Sequence, residues 1–157
     1  MIKLLILSIL LSSLMAQENR LKITYSFHWW KELHLLNSEP FKSFDHRAYV
    51  DIYVNNIAKD SYVNKKTKFK SGSIIIKPLY PGQKREDIAR LAIMMKMERG
   101  YDEEYNDWWY GVYDKTGTQM WYEGKILSCI NCHIRAKKSD YLFTLSVMEI
   151  IELINEK

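Results

Sequence analysis

Gly72-Ser73-Ile74-Ile75-Ile76-Lys77-Pro78-Leu79-Tyr80 is the stretch on which the fold turns. Isoleucine-rich and aromatic, with Gly72 before it and Pro81-Gly82 after it, it has the content and the punctuation of a buried strand. Downstream, Leu91, Ile93, Met95 and Met97 recur at period two, so Ala89 to Met97 is read as a strand. Its Ala, Leu and Met content also suits a helix. Trp108 to Tyr113 is aromatic and β-prone, Lys115-Thr116-Gly117 is a turn, and Gln119 to Glu123 is the hairpin partner. Upstream, Tyr49, Asp51 and Tyr53 alternate with Val50, Ile52 and Val54, which reads as a further strand. The middle of the chain is therefore β-rich.

Helical patterns flank it. Ile23, Phe27, Trp30, Leu33 and Leu36 recur at helical spacing and predict an amphipathic helix from Asn19 to about Asn37, closed by Glu39-Pro40. Ser139-Asp140 is read as the start of a C-terminal helix with Leu142, Leu145, Met148 and Ile151 on one side. A short helix from Asn55 to Tyr62 takes Asn55 as its cap. The run Lys65-Lys66-Thr67-Lys68-Phe69-Lys70 reads as a basic, solvated turn.

The first sixteen residues stand apart. Lys3 gives a positive start, Leu4 to Leu11 is apolar but for Ser8, and Leu14-Met15-Ala16 offers a cleavage edge before Gln17. This is the pattern of a secretory signal peptide, 1–16, leaving one domain over 17–157. The apolar run is short for a spanning helix, and no other segment approaches that length. The expected location is the periplasm, with no membrane span after cleavage. At 157 residues the chain can bury a core without disulfide staples. Its formal charge of +4 is far from the basic density of a nucleic-acid binder.

Both cysteines lie in Cys129-Ile130-Asn131-Cys132-His133. C-x-x-C-H is the attachment string of c-type haem. Two thiols at this spacing reach the two vinyl groups on one porphyrin edge, and the next residue sets its imidazole under the iron. A zinc site would need more ligands than one cysteine pair and a histidine. A thioredoxin-like pair would leave His133 without a role, and a structural disulfide would close a tight loop. One covalent haem c is the expected cofactor, with Cys129 and Cys132 as anchors and His133 as the metal ligand. Only 24 residues follow His133, so the layout of small electron-transfer cytochromes, with a ligating Met far downstream, does not fit. Met148 is the sole downstream Met and reads as core. The β-rich middle also excludes the four-helix bundle of cytochrome c-prime.

With this string in place the chain resembles the cytochrome P-460 family, which includes the cytochromes called c-prime-beta. The matching pieces are Val50-Asp51-Ile52-Tyr53-Val54-Asn55, Phe69-Lys70-Ser71-Gly72-Ser73-Ile74-Ile75-Ile76-Lys77, Met95-Lys96 and Gly100-Tyr101-Asp102. Asn106-Asp107-Trp108, the haem string and Asp140-Tyr141-Leu142-Phe143-Thr144 complete them. The resemblance implies an α+β fold, a mainly antiparallel β-sheet with flanking N- and C-terminal helices, whose sheet covers the distal side of a covalently bound haem. It also implies five-coordinate iron with an open distal site. Some members oxidise hydroxylamine and carry a Lys joined to the porphyrin. Others lack that link and bind nitric oxide or carbon monoxide beneath Phe side chains.

Carried onto this sequence, the resemblance makes Lys77 the candidate for the cross-link and Glu123, ten residues before His133, the candidate distal carboxylate and general base. Pro78 stands where the cross-linked members tend to carry Glu, which favours the unlinked, gas-binding kind. For that kind, Phe44 and Phe69 are the distal candidates, since aromatic edges exclude water and leave room for a diatomic ligand. His28, His34 and His46 read as surface or capping residues rather than sixth ligands. The expected function is an open haem site that binds or redox-processes small nitrogen species, nitric oxide or hydroxylamine, with gas binding preferred. Hydroxylamine or nitric oxide oxidoreductase activity would follow if Lys77 is linked. The rival is a six-coordinate periplasmic electron carrier, with Met94, Met95, Met97 or Met120 as sixth ligand. Expected partners are the small ligand and another periplasmic redox protein, with no nucleic acid. A homodimer is left open.

Overall fold

The computed structural model describes residues 25–64, 66–143, 147–149 and 151–152. In chain order its strands are β1 (His34–Leu35), β2 (Phe41–Ser43), β3 (Ala48–Val50), β4 (Tyr53–Val54), β5 (Ile74–Tyr80), β6 (Arg90–Lys96), β7 (Trp108–Tyr113) and β8 (Met120–Gly124). Two α-helices join them, α1 (Asn56–Val63) and α2 (Leu127–His133). All strand pairs are antiparallel, in the order β1-β4-β5-β6-β7-β8, with β3 also on β5 and β2 on β3. The fold is α+β with a dominant antiparallel sheet.

The Ile-rich stretch is β5 and the ambiguous 89–97 stretch is β6, because six consecutive register pairs from Ile74↔Met95 to Leu79↔Arg90 absorb its backbone groups. Residues 49–54 run along β5 in one register, Tyr49↔Tyr80 to Val54↔Ile75, with the ladder interrupted at Asp51 and Ile52. There the buried Asp51 carboxylate takes hydrogen bonds from Asn37, Tyr80 and Arg85. Asn55 caps α1 as expected: its side chain accepts from the Ala58 amide at 3.0 Å.

The expected N-terminal helix does not form over its described part. Residues 30–32 make one 3₁₀ turn and His34–Leu35 is the edge strand β1. The backbone is drawn to the sheet instead: Phe27 N–H donates to the Gly117 carbonyl at 2.7 Å and Leu36 N–H to the Ile52 carbonyl at 3.0 Å. Phe27 and Trp30 are apolar at helical spacing because both are buried on one sheet face, and adjacent aromatics such as Trp29-Trp30 have little helix propensity to oppose that. The stretch 19–24 and the signal-peptide assignment lie outside the described residues. The C-terminal helix also starts later than expected. Asp140 and Tyr141 both adopt left-handed backbone (φ 55° and 63°), and helical backbone is found at 147–149 and 151–152. Leu145 lies outside the described residues.

Alternation divides the sheet into two faces. On one face Ile75, Met94 and Tyr110 stand abreast, as do Lys77, Ala92 and Val112. Ile130 of α2, Tyr141 and Leu142 belong to the core on this side, with Trp108 at its centre. On the other face Ile76, Leu91, Ile93, Trp109 and Tyr113 pack beneath Phe27 and Trp30. Burying each of these large side chains stabilises the sheet by roughly 1.5–3 kcal/mol.

Candidate functional site

The C-x-x-C-H string forms α2, so its three side chains are fixed by helical geometry relative to each other. Ser128, Cys129, Cys132 and His133 face the sheet across a cavity of about 380 Å³. Its floor is the sheet face just described, Ile75, Lys77, Ala92, Met94, Tyr110 and Val112, and the β2–β3 turn with Phe44, Asp45 and His46 forms a third side. Ala92 sits between Lys77 and Val112 in register, so the smallest side chain of the floor lies at its middle. Both thiols are free and partly exposed to the cavity, and burial raises the Cys129 pKa.

His133 is buried and oriented from behind. Its Nδ1 meets the Tyr141 carbonyl oxygen at 2.7 Å. A carbonyl only accepts, so Nδ1 carries the proton and Nε2 keeps its lone pair. Burial, then the charge of Lys77, holds the imidazole pKa down at about 4, so the ring is neutral at pH 7. The Tyr141 carbonyl is in turn set by Asp140. The buried Asp140 carboxylate accepts from Lys96 Nζ at 2.7 Å, from the Phe69 amide at 2.7 Å, from Trp108 Nε1 at 3.0 Å and from Asn106. These donors come from β6, β7 and two loops, and together they hold the left-handed Asp140-Tyr141 pair in place. The sequence showed Asp140 as a helix start and as part of a matching string. Its carboxylate is used here as a clasp, which is why it does not cap a helix.

Lys77 projects from β5 into the cavity. Burial lowers its pKa to about 8, while Asp45 and Cys132 pull it back up. Phe44 is 80% exposed at the cavity mouth, an unusual position for a phenylalanine. Lys77, Phe44, Cys129, Cys132 and His133 are therefore brought together. Phe69 is not: it is core, packed edge-on between Tyr62 and Trp108 with ring centroids 5.4 and 5.9 Å away. Glu123 is not either. It pairs in register with Gly111, and strand alternation puts both on the face opposite Lys77, where Glu123 sits against Tyr113 and Tyr101. Of the four named methionines, Met94 alone lines the cavity, and Met95, Met97 and Met120 pack on the opposite face.

His46 was passed over in the sequence. His28 is exposed beside Ser26, and His34 bonds the Asn56 side chain at the surface. His46 instead lines the cavity, and burial, followed by the charges of Lys77, His133 and Arg90, lowers its pKa to about 3. Among the described residues there is no metal-binding cluster of histidine, cysteine and carboxylate, and no helix long and apolar enough to cross a membrane.

The family model for Cytochrome P460 matches residues 29–144, most of the chain. No curated protein matches it significantly. The family implies a haem cofactor, and the residues present fit one. Two free thiols and an imidazole with an available Nε2 open on one cavity with an apolar floor. The Tyr110 hydroxyl, in the floor of the same cavity, is buried with no partner among the described residues. An unsatisfied buried hydroxyl marks a place where a further group belongs.

Proposed function

The chain belongs to the cytochrome P460 family, and from that premise we propose a periplasmic monohaem c-type cytochrome, exported by the leader 1–16, that binds a small nitrogen species at an open haem site. Cys129 and Cys132 would hold the haem covalently and His133 would ligate its iron. When bound, the haem supplies a redox-active iron with an exchangeable coordination position. The protein's residues do the rest. His133 presents Nε2 because Tyr141 holds Nδ1, and Ile75, Ala92, Met94 and Val112 keep water from the cavity floor.

One observation carries this reading: the haem string faces a cavity whose floor is apolar except for Lys77 and the Tyr110 hydroxyl. An apolar floor favours a neutral diatomic ligand, so nitric oxide is preferred. Hydroxylamine oxidation would need a base, and Glu123 stands on the other sheet face. Lys77 remains the residue to which a porphyrin link would be made. The electron-carrier reading has Met94 in its favour, since it lines the cavity. However, Met94 is 6% exposed and packed in the sheet floor between Ile75 and Tyr110, which supports a core role.

The test is a titration of the reduced, haem-loaded protein with nitric oxide. One equivalent per chain binding without loss of the fold is the expected result. No spectral change at excess nitric oxide would favour the electron carrier.

A further inference from the structure

Two imidazoles enter one cavity from different elements. His133 comes from α2 and is held by the Tyr141 carbonyl. His46 comes from the β2–β3 turn and lines the same cavity. The turn that carries it is tightly built. Phe41↔Val50, Lys42↔Tyr49 and Ser43↔Ala48 set the hairpin register, and Arg47 N–H closes the turn onto the Phe44 carbonyl at 3.1 Å. Arg47 is left-handed at φ 51°. Asp45 is tied at 3.3 Å to Arg135, two residues after His133, so the turn and the haem helix are linked across the cavity edge.

We propose that His46 is the distal hydrogen-bonding residue of this cavity, so that the site holds small ligands whose outer atom takes a hydrogen bond, hydroxylamine and cyanide as well as nitric oxide. This rests on the haem reading above and sharpens its ligand class. Lys77, His133 and Arg90 are the titratable groups that face His46. An imidazole carries at least one N–H, so it can donate to an acceptor atom of a ligand held in the cavity. The polar groups of the floor are Lys77 and the Tyr110 hydroxyl, and they lie on β5 and β7 rather than on the turn. Phe44, two residues before His46, lines the same cavity and is largely exposed.

The experiment compares haem-loaded wild-type protein with His46→Leu and His46→Gln, using carbon monoxide and cyanide as probes. Haem content and the unliganded spectrum are recorded first. Loss of haem from the wild-type protein would defeat the haem reading itself, whatever His46 does. With haem present, His46→Leu should raise the C–O stretching frequency of the reduced carbon monoxide complex. It should also speed cyanide release from the oxidised protein about tenfold, the scale of one net hydrogen bond. His46→Gln, which keeps a donor, should recover most of both. Unchanged frequency and release in His46→Leu would overturn the proposal. So would a low-spin wild-type spectrum that becomes high-spin in both variants, since His46 would then be the sixth ligand.

Discussion

α2 places Cys129, Cys132 and His133 on one cavity, where the three would hold a haem together. Replacing one cysteine with Ala should leave a single thioether, and replacing both should leave haem extractable by acidified organic solvent. Retention of haem by the double variant after such extraction would deny the attachment. Lys77 is the residue where the two kinds of family chemistry part. We expect digestion of the haem-loaded protein to give a haem peptide containing Cys129 and Cys132 without Lys77, and an ordinary c-type reduced band. A haem peptide that includes Lys77 would make hydroxylamine oxidation the leading function. The buried imidazoles also fix a pH dependence. His46 and His133 titrate at about 3 and about 4 in the folded chain and near 6.5 when unfolded. The unfolded chain therefore binds more protons in that window, and stability rises with pH across it. Haem-free protein should hold its full contribution from these groups above about pH 6.5 and lose it as pH falls toward 4. Thermal unfolding at a series of pH values checks this, and a flat profile would contradict it.

Among the elements, β5 to β8 were legible in the sequence because their apolar alternation and turn residues agree with the sheet they join. The C-x-x-C-H string was legible as a candidate site because its spacing is itself chemistry, and α2 sets its side chains on one cavity. The first helix was misread because Phe27 and Trp30 are periodic for a sheet-packing reason, and pairing with Gly117 and β4 cannot be seen locally. The late start of the C-terminal helix has the same origin, since four distant donors claim Asp140. Breaking that clasp should be costly. Asp140→Ala leaves Lys96, which is 8% exposed, without its partner, and should destabilise by about 3–5 kcal/mol. It should also disturb the reduced haem spectrum through Tyr141 and His133. A denaturation midpoint and spectrum both unchanged from wild type would remove the clasp from the account. The N-terminal strap has its own test. Gly117 has φ +76°, and an added Cβ would lie 2.6 Å from the Phe27 carbonyl oxygen. Gly117→Ala should cost at least about 1 kcal/mol by strain and clash. Denaturant unfolding that matches wild type would contradict the role given to this contact.

For the whole molecule, the sheet does two jobs with its two faces. One face is sealed by Phe27, Trp30, Trp109 and Tyr113, and the other is left open between strands and α2 to form the cavity. That division explains why Glu123 and Lys77, each a chemically plausible site residue in one dimension, part company in three: their strands pair through β6 and β7 with opposite parity. Phe69 and His46 exchange standing for a similar reason, the first drawn into the Trp108 core and the second turned into the cavity by a hairpin. The central claim is a covalent haem on His133 with no strong protein ligand opposite. The absorption spectrum of the purified, haem-loaded protein in its oxidised and reduced states, with no ligand added, tests it most directly. The account predicts a high-spin spectrum, five-coordinate or with a weakly held water. A low-spin six-coordinate spectrum in both states, or no haem band at all, would contradict it.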